Sequence, residues 1–479
     1  MTDNLNTKVK TATKWSAVTE IAAKLVAPIS TMVLARLLTP EAFGVLVTAT
    51  MVISFAEIFT DAGFQKYIVQ KEFPTKDDLY NSTAVAFWSN FALSLIIWAV
   101  ISIFSSQIAH LVGNDGYGLV ITISCVCIPL AAFSSIQMAL FKRALDFKTL
   151  FFVRIVGILI PVFVTIPLAY LTRSYWSLII GMIALNISNA IILTWKSEWK
   201  PKKYYNWQLF KDMFSFTMWS MIEAVSIWLT NYLDVFIVGT YLSSYYMGLY
   251  RTSISTVGQI MALVTSATTP VLFSALSRLQ NDRGEFNRLF LNFQQLVSIL
   301  VVPMGVGIFL FSDTITLILL GNKWTEASTF IGWWGLTSSI TVVLSHYSSE
   351  IYRALGKPKW SVFVQMTHLL FLVPVVLLSI QKGYDTLCVC RSLVRLEIII
   401  VNMVLVYKLV RISPFDMLMN ICYPIIGSIT MILIYLLFHK VDSIHWDIAC
   451  MVVCSVAYLL VIFSSKSNRD IVKKLIIKK

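Results

Sequence analysis

The chain has 479 residues, 57% of them hydrophobic and only 13% charged, with a mean hydropathy of +0.75. Soluble globular proteins carry about twice that charged fraction, so a soluble enzyme, a disordered chain and a fibre are all excluded. The net charge of +13 does not imply nucleic acid as a partner, because the basic residues fall between apolar runs, as in membrane proteins.

Those runs are about 20 residues long, twice the length of a barrel strand. They predict an all-α polytopic membrane protein with fourteen helices: 15–38, 43–69, 79–104, 117–142, 148–171, 174–196, 210–238, 245–275, 285–311, 326–355, 359–381, 384–410, 416–439 and 445–465. At about 1.5 Å per residue each crosses roughly 30 Å of hydrocarbon. Ahead of them lies a polar stretch with Lys8, Lys10 and Lys14, and no cleavage site follows the first run, so no signal peptide is expected.

With the N-terminus cytoplasmic, the segments on that side hold 28 Lys and Arg, and the opposite loops hold 5. Another 5 lie within helices: Lys24, Arg154, Arg251, Arg391 and Arg395. The bias alternates at every loop, which places both termini in the cytoplasm. Loops are short, so any chemistry belongs to the bundle. The seven cysteines all sit in apolar runs without His neighbours, which reads as buried thiols rather than disulfides or a metal site.

An internal repeat is visible. Leu38-Thr39-Pro40-Glu41-Ala42-Phe43-Gly44-Val45 aligns without gaps on Leu242-Ser243-Ser244-Tyr245-Tyr246-Met247-Gly248-Leu249, at an offset of 204. Arg143-Ala144-Leu145 matches Arg353-Ala354-Leu355 at an offset of 210. Helices 1–6 and 7–12 then form two parallel repeats about an axis along the membrane normal, with two helices appended. The expected divisions are 1–203, 204–411 and 412–479. Such repeats place a substrate site at the lobe interface near mid-membrane.

Charges at membrane depth usually face a polar cavity or a partner. The first helix carries Glu20 and Lys24 and the second carries Glu57 and Asp61, both i,i+4. The seventh carries Glu223, Asn231 and Asp234, and the eighth carries Arg251. Because these four helices are repeat equivalents, all eight residues are candidates to line a shared substrate cavity. Two alternatives stand: Glu20–Lys24 as a self-neutralising pair, and Asp61 at the cytoplasmic interface. Pro28 would bend the first helix around the cavity. Trp219 and Trp228 could stack on a sugar, although core packing is the plainer role. Arg391 and Arg395 read as packing or lipid contacts, and Arg154 as snorkelling to the cytoplasmic face. His346 and His368 read as core or interfacial residues.

The stretch Ala35-Arg36-Leu37-Leu38-Thr39-Pro40-Glu41-Ala42-Phe43-Gly44, with Asp61-Ala62-Gly63-Phe64 and Gln70-Lys71 after it, resembles the start of Wzx-type polysaccharide flippases, in the polysaccharide-transporter branch of the multidrug/oligosaccharidyl-lipid/polysaccharide (MOP) exporter superfamily. Gly321-Asn322-Lys323-Trp324 resembles the Gly-x-Lys-Trp of colanic-acid exporter-like members. The resemblance covers essentially the whole chain. It implies a MATE-like fold and a bacterial inner-membrane protein that moves undecaprenyl-pyrophosphate-linked repeat units outward by alternating access. It also implies a monomer, with other polysaccharide-assembly proteins as partners. Related lipid flippases place basic residues on helices 1, 2 and 8. Lys24 and Arg251 fit the first and last of these, whereas the second helix offers Glu57 and Asp61. A mixed cavity suits a charged sugar, or acids that carry coupling H+ or Na+. Two other readings are a multidrug or small-molecule antiporter, which the two cations disfavour, and a membrane-embedded polymerase or ligase, which the short outward loops disfavour.

Overall fold

The computed structural model describes residues 24, 26–61, 64–357, 359–439 and 443–464, without the side chains of 61, 215–220, 222 and 223. Regular structure among them is helical throughout. The helices used below are α1 (Val26–Leu37), α2 (Pro40–Asp61), α3 (Lys76–Ile103), α4 (Gly118–Arg143), α5 (Phe147–Thr172), α6 (Trp176–Lys196), α7 (Trp207–Tyr241), α8 (Ser244–Arg278), α9 (Arg283–Leu310), α10 (Asn322–Ala354), α11 (Lys359–Ile380), α12 (Tyr384–Val394), α13 (Leu396–Val410), α14 (Cys422–Phe438) and α15 (Ile444–Ser464). Ten of the helices among the described residues are long and apolar enough to cross a membrane, and α1 and α14 are shorter apolar helices. The stretch expected as one helix over 384–410 is two helices that meet at Arg395.

Local chemistry sets where the helices begin. Thr75, Asp146, Asn206 and Asp282 each accept a backbone N–H from the first turn of the helix that follows, which satisfies donors left open at a helix start. The ends of α4 and α10 share one turn. Leu145 N–H donates to the Lys142 carbonyl and Asp146 N–H to Phe141, as Gly356 does to Arg353 and Lys357 to Tyr352. This is a Schellman closure, at an offset of 211, one residue beyond the sequence match. The left-handed position is Leu145 (φ 57°) in one and Gly356 (φ 67°) in the other.

The chain packs as two compact units, Met1–Arg251 and Thr252–Lys479. The first runs past the expected repeat boundary because α7 lies along α2, where Trp228 donates to Ser54 Oγ at 3.1 Å. In the second, α14 and α15 pack on α9: Tyr458 donates to the Ile299 carbonyl at 2.8 Å, and Met431, Cys450 and Cys454 fill the space between. Lipid offers helices no hydrophobic drive to associate, so small residues and buried hydrogen bonds do this work. Asn90 donates to Ser135 at 2.9 Å, and Asn402 donates to Ser345 and accepts from Tyr352. Large side chains such as Ile103, Phe163, Leu370 and Leu460 are exposed on the outside. Of the cysteines, Cys125, Cys127, Cys388, Cys450 and Cys454 are buried as expected, while Cys390 and Cys422 are half-buried.

The aligned motifs at offset 204 touch each other. A Cβ on Gly44 would overlap the Ser244 carbonyl, and one on Gly248 would overlap that of Pro40. The contact is reciprocal: each glycine meets the residue that opens the other helix. We expect Gly44→Val or Gly248→Val to lower stability by about 1–3 kcal/mol or more, the usual cost of overpacking. Gly258→Ala, which meets open space, should be near neutral. Thermal unfolding of the detergent-purified variants checks this.

Candidate functional site

The turn between α7 and α8 folds the chain back so that their polar residues meet. Tyr250 is fully buried, and its hydroxyl donates to Asp234 Oδ2 at 2.8 Å; the Asp234 carboxylate is itself 2% exposed and takes the Val235 N–H at 2.8 Å on its other oxygen. Asp234 therefore ties the two helices together from inside. One residue further, about 100° around the helix, Arg251 turns another way and is half-buried. Its guanidinium donates to the Asn231 carbonyl at 3.4 Å and lies 5.0 Å over the Tyr232 ring. The Asn231 amide donates back to the Ile227 carbonyl at 3.0 Å.

Aromatic rings continue the row. Tyr232 stacks on Trp228 at 5.6 Å, and Trp228 meets Phe55 of α2 at 4.9 Å. The Trp228 indole is held by Ser54 and half-buried, so packing uses most of it. The row from Phe55 to Arg251 thus ends in a cation whose contacts among the described residues are neutral. A guanidinium held by a carbonyl and a ring keeps its charge for an anion, and it presents planar, directional donors.

The other candidates are placed as follows. Lys24 is helical and half-buried ahead of α1, and Glu57 is half-buried on α2. Asp61 closes α2 and Glu223 stands within α7, their side chains undescribed; Glu20 lies outside the described residues. The α7–α8 turn brings Asn231, Asp234 and Arg251 together, with Asp234 turned into the packing.

In the second unit, the Arg395 guanidinium donates to Ser338 Oγ at 2.8 Å and lies 3.9 Å over Trp334, with Arg391 4.9 Å over the same ring. This is the packing role expected for both. His368 Nδ1 meets Glu397 Oε2 at 2.8 Å, with both side chains mostly buried. Between α8, α9, α14 and α15 lies an apolar cavity of about 560 Å3, walled by residues such as Ile260, Pro303, Met431 and Leu459. The first unit holds a feature that sequence reading passed over, a cavity lined by Lys142 and Arg154. The only signal for it in the sequence was an arginine inside an apolar run.

Comparison with known proteins gives the family and the fold. The signature of the polysaccharide biosynthesis protein family matches residues 33–329. An uncharacterized membrane protein in the cps region of Klebsiella pneumoniae is 22% identical over 384 residues, 78% of this chain and 77% of that protein. The succinoglycan biosynthesis transport protein ExoT of Rhizobium meliloti is 22% identical over 72% of this chain and 70% of its own length. The lipid II flippase MurJ, in an inward closed conformation, superposes with a TM-score of 0.74 at 15% identity, covering 95% of this chain and 99% of that one, so the fold is shared.

Removing the hydroxyl that holds Asp234 should register in stability. Hydrogen bonds to charged groups are worth about 1.5–3 kcal/mol, and we expect Tyr250→Phe to lower the unfolding free energy by about that much. Arg251→Ala, which breaks only a long hydrogen bond and a ring contact, should cost less than about 1 kcal/mol. Thermal or denaturant unfolding followed by tryptophan fluorescence distinguishes the two.

Proposed function

This chain belongs to the polysaccharide biosynthesis protein family, and on that premise we propose that it is a flippase carrying undecaprenyl-pyrophosphate-linked oligosaccharide units outward across a bacterial inner membrane, for O-antigen, capsule or exopolysaccharide. The protein is a transporter and not an enzyme. One observation carries the choice of cargo: Arg251, within a helix apolar and long enough to cross a membrane, contacts only neutral groups among the described residues. A charge there is costly unless it serves a cavity or a partner, and a pyrophosphate supplies that partner. A multidrug antiporter for cationic compounds has no use for it.

The working picture has fourteen crossings in two parallel six-helix repeats plus two. It is supported by helices in each predicted stretch, the reciprocal Gly44–Ser244 and Gly248–Pro40 contact, and the shared turn after Arg143 and Arg353. Both termini are cytoplasmic, from the 28-to-5 bias. Transport proceeds by alternating access. Lys24 and Arg251 receive the pyrophosphate, Lys as a point charge and Arg through paired donors. Glu20 holds Lys24 when the site is empty and offsets part of its desolvation cost. Glu57, Asp61, Glu223 and Asn231 contact the sugar or carry coupling H+ or Na+, and Asp234 fixes the α7–α8 frame from which Arg251 projects. The apolar cavity of about 560 Å3 beside α14 and α15 suits the prenyl tail. The protein works as a monomer alongside other polysaccharide-assembly proteins.

Complementation of a deletion strain tests the site. Lys24→Ala and Arg251→Ala should each reduce surface glycan at least about tenfold at normal protein level. Arg251→Lys should retain part of it, and Arg395→Ala should be milder than either. Full export by the Lys24→Ala/Arg251→Ala double variant would remove the cationic site. For topology, single cysteines at Asp115 and Lys382 should react with an impermeant reagent in intact cells and one at Lys202 should not; labelling at 202 would sink the fourteen-crossing arrangement.

A further inference from the structure

The cavity in the first unit is lined by neither Lys24 nor Arg251. It has a volume of about 540 Å3, within the range of small-molecule pockets, ~300–1,000 Å3. Four helices each contribute one polar side chain: Ser30 from α1, Lys142 from α4, Arg154 from α5 and Asn189 from α6. All four can donate a hydrogen bond, and Lys and Arg can only donate. No Asp or Glu is among the described lining residues, and the remaining wall is largely apolar, with Phe147 and Phe151 at one side.

Among the described residues no acid pairs with these cations. Lys142 reaches only the Gln65 side-chain oxygen, at 3.4 Å. Arg154 makes no hydrogen bond or ion pair among the described residues. The adjacent Arg143 is committed elsewhere, donating to the backbone carbonyls of Ile68, Val69 and Lys71. The acid of the connecting loop, Asp146, caps α5 through the Thr149 N–H at 3.1 Å and hydroxyl at 2.6 Å. Lys142 and Arg154 are both exposed; two like charges on one cavity repel each other, and a polyanion placed between them reverses the sign of that term.

The scaffold is closely packed where the donors project. The α5–α6 pair packs closely, Gly157 against Leu185 and Gly181 against Thr165. Within α5 the backbone widens into a π-turn at Pro161–Thr165, a feature common beside functional sites. Phe147, Leu150, Arg154, Gly157 and Pro161 face the cavity at helical spacing, whereas Phe152, Leu159 and Phe163 do not line it. Arg154 therefore belongs to the cavity stripe, with its side chain exposed.

We propose that Ser30, Lys142, Arg154 and Asn189 form a phosphate-ester site, distinct from the one centred on Arg251, at the cytoplasmic end of the first unit. Its identification as the place where the substrate pyrophosphate docks before transport rests on the flippase reading. The same chemistry fits the phosphodiester headgroup of an anionic phospholipid, and the test separates the two sources.

The full chain is purified in detergent carrying Lys24→Ala and Arg251→Ala, so that only this site contributes. Binding of farnesyl pyrophosphate, of farnesol and of phosphatidylglycerol is then measured by native mass spectrometry. Adding Lys142→Gln and Arg154→Gln should weaken farnesyl pyrophosphate at least tenfold, weaken phosphatidylglycerol by no more than about twofold and leave farnesol unchanged. The charge-conserving pair Lys142→Arg/Arg154→Lys should restore most of the loss, which excludes misfolding as its cause. A loss confined to phosphatidylglycerol would keep the ester site, assign it to a membrane lipid and overturn the docking role, leaving the flippase reading standing on Arg251. No change in either phosphate ligand would overturn the site itself.

Discussion

The first unit depends on a close approach that only glycine permits. Gly44 and Gly248 let the openings of α2 and α8 meet backbone to backbone, each glycine against the first residue of the other helix. Side chains there would hold the helices apart by the width of a methyl group or more. With the two openings fixed, the α7–α8 turn is fixed too, because Thr48 and Asn114 pack with Met247 just behind it. Asp234 and Tyr250 then lock α7 to α8, with Arg251 one residue further along α8, over the Tyr232 ring. A membrane bundle needs such contacts, since lipid supplies no hydrophobic force to hold helices together.

Four arginines within the helical regions show how neighbours decide the fate of one side chain. Arg143 is spent on three backbone carbonyls and closes a short helix. Arg395 is spent on Ser338 and Trp334 and joins α10 to the α12–α13 break. Arg251 is positioned by a carbonyl and a ring, which orient it without cancelling its charge. Arg154 faces a cavity with Lys142 and, among the described residues, no acid. Structural arginines are those whose donors are consumed, and the two whose charge remains available are the ones a phosphate would find.

The sequence was most legible where physics acts over many residues. Length and apolarity located the helices. Its weakest points were single residues. The split at Arg395 was not visible in 384–410, because two short helices and one long helix share the same hydropathy. Asp234 and Arg251 looked alike as charges at membrane depth, and only the rotation of α7 against α8 turned one inward and left the other half-buried. Lys142 read as a loop residue of the charge bias and Arg154 as a snorkelling one, since nothing in their spacing brings α4 and α5 around a common space.

The sequence alone determined the class of the molecule: an all-helical membrane protein with repeated helix openings, cations at membrane depth and a family motif at its start. Those properties follow from composition, periodicity and short local matches, which are additive along a chain. Tertiary structure alone decided which charges are paired with one another, which are buried in packing and which line a cavity. Pairing depends on distances of a few ångströms between residues up to 200 positions apart, and Coulomb and hydrogen-bond energies in a low-dielectric interior change steeply over that range. No local pattern encodes such a distance, so the site had to be read from the fold.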